Sequence, residues 1–124
     1  MLVDLEVLES LGWIDPRFFH YKEEFDIAYR IRTHGHQVAW VCSEEVAHAV
    51  GATIAQHSPD SCYYKARNEI LFFRKHGGLR RPDLLLRLTR IELTFLSRYR
   101  NFRHWLSGVR DGIAGVTGPR QQTS

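Results

Sequence analysis

Three acidic residues, Glu23, Glu24 and Asp26, follow an aromatic-rich stretch at positions 13–21. A carboxylate that has no cationic partner and lies beside aromatic side chains is suited to general-base chemistry, in which it removes a proton from a reacting group. Asp26 has Arg30 four residues later, the spacing of a helical ion pair, whereas the other two acids have no such partner. Acids also occur in a first helical turn for a structural reason, because each complements the helix dipole by about 0.3–1 kcal/mol. The residues alone leave both interpretations open.

The acids are predicted to begin a helix whose apolar face carries Ile27, Ala28 and Ile31. Counting back along this face by three and four residues reaches Glu24, so the spacing predicts that its carboxylate points toward the core. Glu23 is placed on a different side of the helix. The helix is expected to start near residue 22, because the preceding Asp-Pro dipeptide is typical of a turn.

The remaining pattern predicts an α/β fold of several helices and two short strands. A short helix is predicted at 3–11, and a well-capped helix begins at Ser58-Pro59-Asp60 and ends at 76–78. The β-branched and aromatic segments 37–41 and 45–50 are predicted to be strands. This order of elements is typical of an α/β layer attached to a larger sheet.

The C-terminal third, residues 79–124, is predicted to be a basic amphipathic helix at 79–106, whose apolar face runs over 84–106, followed by a flexible, glycine-rich tail at 107–124. The 124 residues are one domain's worth of chain, with a formal net charge of +3. Most of the arginines lie in this third, at Arg80, Arg81, Arg87, Arg90, Arg98, Arg100, Arg103 and Arg110. Such a helix suits either an anionic membrane surface or packing on a domain with solvated arginines. Nucleic acid is not an expected partner, because no recognition motif accompanies the charge.

The two cysteines are expected to be reduced thiols in a cytoplasmic protein, because no secretion signal opens the sequence and no apolar run is long enough to span a bilayer. Three histidines and one cysteine raise the alternative of a zinc site. Their spacing matches no common zinc pattern. These residues are His34, His36, Cys42 and His48.

A series of short motifs in residues 3–78 resembles the C-terminal half of family 2 glycosyltransferases, and in particular bacterial rhamnosyltransferase-like enzymes that build cell-surface polysaccharides. The family's segment looks like Gly-Phe-Asp-Glu-X-Phe-Phe-X-Tyr-Gly-Glu-Asp-X-Asp. The motifs here are Gly12-Trp13-Ile14-Asp15, Phe18 to Ile27, Arg30-Ile31-Arg32, Gly35, His48, Gly51 and Tyr64-Lys65-Ala66-Arg67-Asn68. Their order and spacing make the resemblance specific.

The resemblance implies the helix-rich C-terminal portion of a GT-A, Rossmann-like fold, with residues 1–78 forming the acceptor side. It also implies an inverting displacement in which Glu24 takes the proton from an acceptor hydroxyl that attacks a nucleotide-activated sugar. Glu23 would contact the acceptor or hold the neighbouring loop, and His48 would help to bind Mn²⁺ or Mg²⁺ on the donor diphosphate. The other implied substrate-binding residues are Tyr21, Asp26 and Arg67. Asn68 either forms part of the same pair or braces a neighbouring loop.

Two positions depart from the family's pattern, since Glu24 replaces a usual aspartate and Lys22 replaces a usual glycine. Relatives bind the donor and its metal through an N-terminal half with an Asp-X-Asp motif, which this sequence lacks. The chain is therefore expected to be a C-terminal fragment that is incomplete for catalysis alone, and the metal is expected only when a donor-binding half is present. The expected partners are a nucleotide-sugar donor, a saccharide or lipid-linked acceptor, and an anionic membrane surface at 84–106. The expected location is the cytoplasm or the cytoplasmic face of the membrane. The alternative function is a non-catalytic remnant or an interaction module.

Overall fold

The computed structural model describes residues 2–39, 58–77 and 101–120, and 60% of these residues are helical. The α/β prediction is wrong, because the described residues form helices and irregular segments but no strand. At the predicted strand 37–41, residues 37–39 are irregular, and Val38 is 52% exposed. Residues 40 and 41 and the whole of the predicted strand 45–50 lie outside the described ranges.

Helix α1 spans Leu5–Ser10 and is capped by Asp4, whose side chain accepts hydrogen bonds from the backbone N–H groups of Glu6 and Val7. The predicted helix at 3–11 is therefore confirmed in a shorter form. A glycine with positive φ follows it at position 12, as expected for a helix stop.

Helix α2 spans Glu23–Thr33 and begins where the sequence predicted. It packs on α1 through a small apolar cluster in which Leu8 of α1 contacts Ile27 and Ile31 of α2. Gly35, with φ at 85°, follows the end of the helix. The α1–α2 pair therefore supplies one part of the core and presents the acidic start of α2.

Helix α3 spans Pro59–Lys75, and its predicted start is confirmed. The Ser58 hydroxyl accepts a hydrogen bond from the backbone N–H of Ser61 at 3.1 Å, and the proline occupies the first turn, where it loses no helical hydrogen bond. The buried face of α3 includes Tyr63 and Phe73.

Helix α4 spans Phe102–Ala114 and packs along α3. It differs from both predictions for this region. Residue 101 is a non-helical cap, so the helix predicted at 79–106 does not continue unbroken through this point, and residues 79–100 lie outside the described part. The tail predicted from residue 107 is helical as far as residue 114, because Gly108 and Gly112 allow close contact with the backbone of α3.

Candidate functional site

The loop that leads into α2 holds two consecutive non-glycine residues in the left-handed region of backbone conformation. Tyr21 has φ at 66° and Lys22 has φ at 76°. This conformation places a side chain close to the following carbonyl oxygen, at a cost of roughly 1–2 kcal/mol for each residue. The surrounding contacts must therefore hold the loop in place.

Asn68 of α3 supplies two of those contacts. Its side-chain Nδ2 donates hydrogen bonds to the backbone carbonyl oxygens of His20 and Tyr21, the latter at 2.9 Å. Its Oδ1 accepts a hydrogen bond from Nε of Arg67 at 3.0 Å, so the amide is fixed in this orientation. The sequence expectation that Asn68 braces a neighbouring loop is confirmed.

The same loop makes further contacts with α3 through its side chains. The Tyr21 hydroxyl lies 3.1 Å from the Ser61 hydroxyl, and the Lys65 ammonium lies 4.9 Å from the centre of the Tyr21 ring. Lys22 forms an ion pair with Glu69. These contacts join two segments about 40 to 50 residues apart in sequence, the loop at 20–22 and the middle of α3.

The structure reverses the predicted orientations of the two glutamates. Glu24 is exposed, whereas Glu23 is partly buried and its Oε2 has no hydrogen-bond partner among the described residues. Burial raises the pKa of the Glu23 carboxyl above its ordinary value, and the nearby Glu24 charge adds to this effect. The prediction of an inward Glu24 is wrong because α2 also buries Asp26, which turns the centre of its buried face toward Glu23.

Asp26 is fully buried among basic side chains. Its carboxylate lies 2.6 Å from Nζ of Lys75 and 2.8 Å from both Nε of Arg30 and Nε2 of His76. Burial by itself raises the pKa of Asp26, but the hydrogen bonds from Lys75 and His76 outweigh it and hold the pKa below its ordinary value. The side chain predicted to bind substrate therefore links α2 to the end of α3 and has no exposed surface for a substrate.

Asp15 extends this ionic cluster into the loop before α2. Its carboxylate lies 2.6 Å from Nη2 of Arg17 and 2.7 Å from the same Lys75 ammonium that binds Asp26. Burial raises the pKa of Asp15, yet the hydrogen bonds from Arg17 and Lys75 bring it well below its ordinary value. Lys75 thus joins two carboxylates, one from the loop and one from α2.

Arg67 of α3 is fully buried and contacts the C-terminal segment. Its Nη1 donates a 2.6 Å hydrogen bond to the carbonyl oxygen of Gly118, and its guanidinium lies over the rings of Tyr63 and Tyr64 at 5.5 Å and 4.9 Å. Its Nη2 has no partner among the described residues. Arg67 contacts the loop at 20–22 only through Asn68. It was predicted to bind substrate, but its guanidinium is not exposed to one.

A cleft of about 310 Å³ lies between the end of α3 and the segment after α4. Its walls include the cations Arg17, Arg74 and Lys75 and the apolar side chains of Phe18 and Leu71. Each cation already has partners in the protein, since two bind Asp15 and the third donates to backbone carbonyls at the end of α4. Neither Glu23 nor Glu24 lines this cleft.

For the implied divalent metal, no three histidine, cysteine, aspartate or glutamate side chains come together within the described ranges. Asp26 does not fit the role, because its carboxylate already binds Arg30, Lys75 and His76. His48 and Cys42 lie outside the described residues, so the predictions for them remain predictions. No reaction step is assigned to a metal.

Sequence reasoning missed the roles of Asp15, Lys75 and His76. The sequence placed Asp15 in a turn and His76 at a helix end, and these local signals were correct. No periodic pattern links residues 15 and 26 to residues 75 and 76, so only the tertiary structure shows the cluster.

The four described helices include none that is long and apolar enough to cross a bilayer. No family model, curated protein or solved structure matches the chain.

Proposed function

We propose that this chain forms the acceptor side of an inverting, nucleotide-sugar-dependent glycosyltransferase that acts in cell-surface polysaccharide synthesis. The observation that carries the proposal is the pair of hydrogen bonds from Asn68 to the loop carbonyls at His20 and Tyr21. The two sequence segments that resemble the glycosyltransferase family are thereby in direct contact. The contact fixes the loop immediately before the two glutamates.

The backbone of Lys22 gives a second, independent reason. The family's segment has glycine at this position, and the residue here has φ at 76°, a conformation that glycine adopts at little cost. A glycine preference is thus a property of the loop geometry itself. It supports the alignment that assigns Glu23 and Glu24 to the family's acidic pair.

In the proposed reaction, Glu24 accepts the proton of an acceptor hydroxyl while the hydroxyl oxygen attacks the anomeric carbon of the donor. The new C–O bond forms as the bond to the diphosphate breaks, and the nucleoside diphosphate leaves with that electron pair. Glu24 is the exposed carboxylate of the pair, so an acceptor can reach it from solvent. General-base assistance contributes about 10²–10⁴-fold to the rate of such a step.

Glu23 has a different part in the proposal. Its raised pKa and its buried, unpartnered Oε2 describe a carboxyl group that would gain from a hydroxyl donor. We assign it to holding the acceptor or the loop beside Glu24. In the proposal, His48 helps to bind the Mn²⁺ or Mg²⁺ ion on the donor diphosphate. We place the reaction at the cytoplasmic face of the membrane.

The test measures sugar transfer by the full-length protein that contains this chain, with a panel of nucleotide-activated hexoses and deoxyhexoses, saccharide and lipid-linked acceptors, and Mn²⁺ or Mg²⁺. Glu24→Gln is expected to lower the rate of product formation by about 10²–10⁴-fold. Glu9→Gln changes an exposed carboxylate of α1 in the same way and serves as the control.

Unchanged transfer by Glu24→Gln would remove this residue from the role of base. A second measurement follows the backbone NMR signals of residues 20–24 during addition of the acceptors alone. If no donor gives product and no acceptor shifts these signals, the proposal is wrong and the alternative of a non-catalytic module takes its place.

A further inference from the structure

Helix α4 exposes a stripe of large apolar side chains along one side. Phe102, Leu106 and Ile113 are 52%, 50% and 64% exposed, and their spacing of four and seven residues places them on the same side of the helix. Val109 lies between them in the same row and is partly buried. Transfer of such a stripe from water to an apolar phase lowers the free energy.

The stripe is separate from the side of α4 that holds the fold together. Gly108 and Gly112 form that side, and a Cβ atom at the second of them would lie 2.8 Å from the carbonyl oxygen of Arg67. Asp111 also faces α3, where its carboxylate accepts a 2.8 Å hydrogen bond from the Tyr63 hydroxyl. The apolar stripe is therefore not needed for packing α4 onto α3.

Exposed arginines border the stripe. Arg103 and Arg110 are seven residues apart and follow the row of apolar residues along one edge. Arg110 forms an ion pair with Asp111, yet its side chain remains 77% exposed and able to reach another anion. Apolar residues with arginines at their edge are the arrangement found in helices that lie in the interface of an anionic bilayer.

The charge around α4 distinguishes it from the exposed apolar position on α1. Leu5 of α1 is 68% exposed, but Asp4, Glu6 and Glu9 surround it in the sequence and are exposed as well. An anionic surface would repel that region and attract α4. Exposure alone would not choose between the two helices, whereas charge complementarity does.

We propose that the surface of α4 formed by Phe102, Leu106, Ile113, Arg103 and Arg110 binds an anionic lipid bilayer. The apolar side chains enter the boundary between headgroups and acyl chains, and the arginines contact the phosphates. The axis of α4 then lies parallel to the membrane plane, with α3 on the side away from the lipid. This inference does not depend on the proposed transferase activity.

The test is flotation of the full chain with two kinds of vesicle. One contains phosphatidylcholine alone, and the other also contains about one phosphatidylglycerol molecule in three lipids. The chain is expected to float with the anionic vesicles and to remain at the bottom with the neutral ones. Raising the salt concentration should weaken binding, because the arginine contacts are screened.

Variants of the surface separate the two contributions. Leu106→Gln combined with Ile113→Gln should lower the partition coefficient by about 100-fold, since two large apolar side chains no longer enter the lipid. Arg103→Gln and Arg110→Gln should each lower it by about fivefold. Leu5→Gln on α1 is the matched control and should leave binding unchanged, and circular dichroism should show the same helical content in all variants.

Equal binding to neutral and anionic vesicles would overturn the proposal. So would a loss of binding by Leu5→Gln as large as the loss caused by the α4 variants. Absence of binding together with a concentration-dependent dimer in size-exclusion chromatography would also overturn it and would assign the stripe to a second copy of the chain. Either result leaves the glycosyltransferase proposal untouched, because the transfer assay does not use the α4 variants.

Discussion

At Lys22 the backbone lies in the left-handed region although the residue has a side chain. The loop around it contains two more non-glycine residues of this kind, Trp13 and Tyr21. Such conformations persist where neighbouring contacts determine them, and they concentrate at functional sites. Here the contacts come from α3, through Asn68 and through the ion pair between Lys22 and Glu69.

The cost of this conformation at Lys22 can be measured with two substitutions. Lys22→Gly and Lys22→Ala both remove the ion pair to Glu69, so they differ only in the backbone preference at a φ of 76°. We expect the glycine variant to be more stable by about 1 kcal/mol in urea unfolding. The same pair of substitutions at Gln37, an exposed irregular position without positive φ, should favour alanine or show no difference. Equal stabilities at position 22 would contradict the strain argument.

At the scale of elements, the contact between α3 and α4 depends on the two glycines of α4. A glycine in a helix interior normally costs about 1 kcal/mol relative to alanine. Gly108 lies directly against the carbonyl oxygen of Tyr63, so any side chain there would collide with backbone atoms that cannot move aside freely. The close approach of the two helices therefore requires residues that weaken α4 as an isolated helix.

Gly108→Ala is expected to destabilise the protein by about 1–3 kcal/mol, because the overpacking outweighs the gain in helix propensity. The measurement is the urea midpoint followed by circular dichroism. Ser107→Ala, one residue earlier in the same helix and only partly buried, should change stability by no more than about 0.5 kcal/mol. An alanine variant at position 108 as stable as the native chain would show that α4 does not need this close contact.

At the scale of the whole molecule, buried ion pairs connect parts that the small apolar cluster of α1 and α2 does not reach. Lys75 at the end of α3 binds both Asp15 of the loop and Asp26 of α2. Arg30 adds hydrogen bonds from α2 to the carbonyl oxygens of Leu11 and Trp13. The loop, α2 and α3 are thus held by one network of charged groups.

This network gives stability a definite dependence on pH. The pKa values of Asp15 and Asp26 are lowered in the folded state. Their contribution to the free energy of unfolding is therefore present above the ordinary carboxyl pKa of about 3.9, and it is lost as the pH falls below that value. The pKa of Glu23 is raised, so its effect has the opposite sign, and stability rises as pH falls toward about 4.3. We expect a maximum of stability in mildly acidic solution and a steep loss below about pH 4.

Urea unfolding as a function of pH, with two variants, checks this expectation. Asp26→Asn should lower the free energy of unfolding by about 3–5 kcal/mol near neutral pH, because Lys75, His76 and Arg30 lose the carboxylate that they share. The stability of this variant should also fall less steeply in acid. Glu23→Gln should remove the rise between neutral and mildly acidic pH. A pH profile of Asp26→Asn parallel to that of the native chain would exclude Asp26 as a source of the acid loss.

The sequence by itself determined where α2 and α3 begin and where α2 ends, because those signals act within a few residues. Asp4 and Ser58 cap their helices through backbone groups two or three positions away, and Gly35 follows the end of α2 as expected. Only the tertiary structure decided which carboxylate is buried. The apolar spacing of α2 favoured Glu24, but contacts with Lys75 and His76 buried Asp26, and Glu23 on the same side of α2 became partly buried.

The fold class and the position of the site were decided in the same way, by partners distant in sequence. Propensity suggested a strand at 37–41, yet a strand needs a neighbouring strand to accept its hydrogen bonds, and the described residues supply none. Asn68 reaches a loop that lies 47 and 48 residues earlier in the chain, and Gly108 meets α3 about 45 residues away. Local chemistry therefore fixed the caps and turns, whereas burial and charge pairing depended on contacts that the folded chain alone brings together.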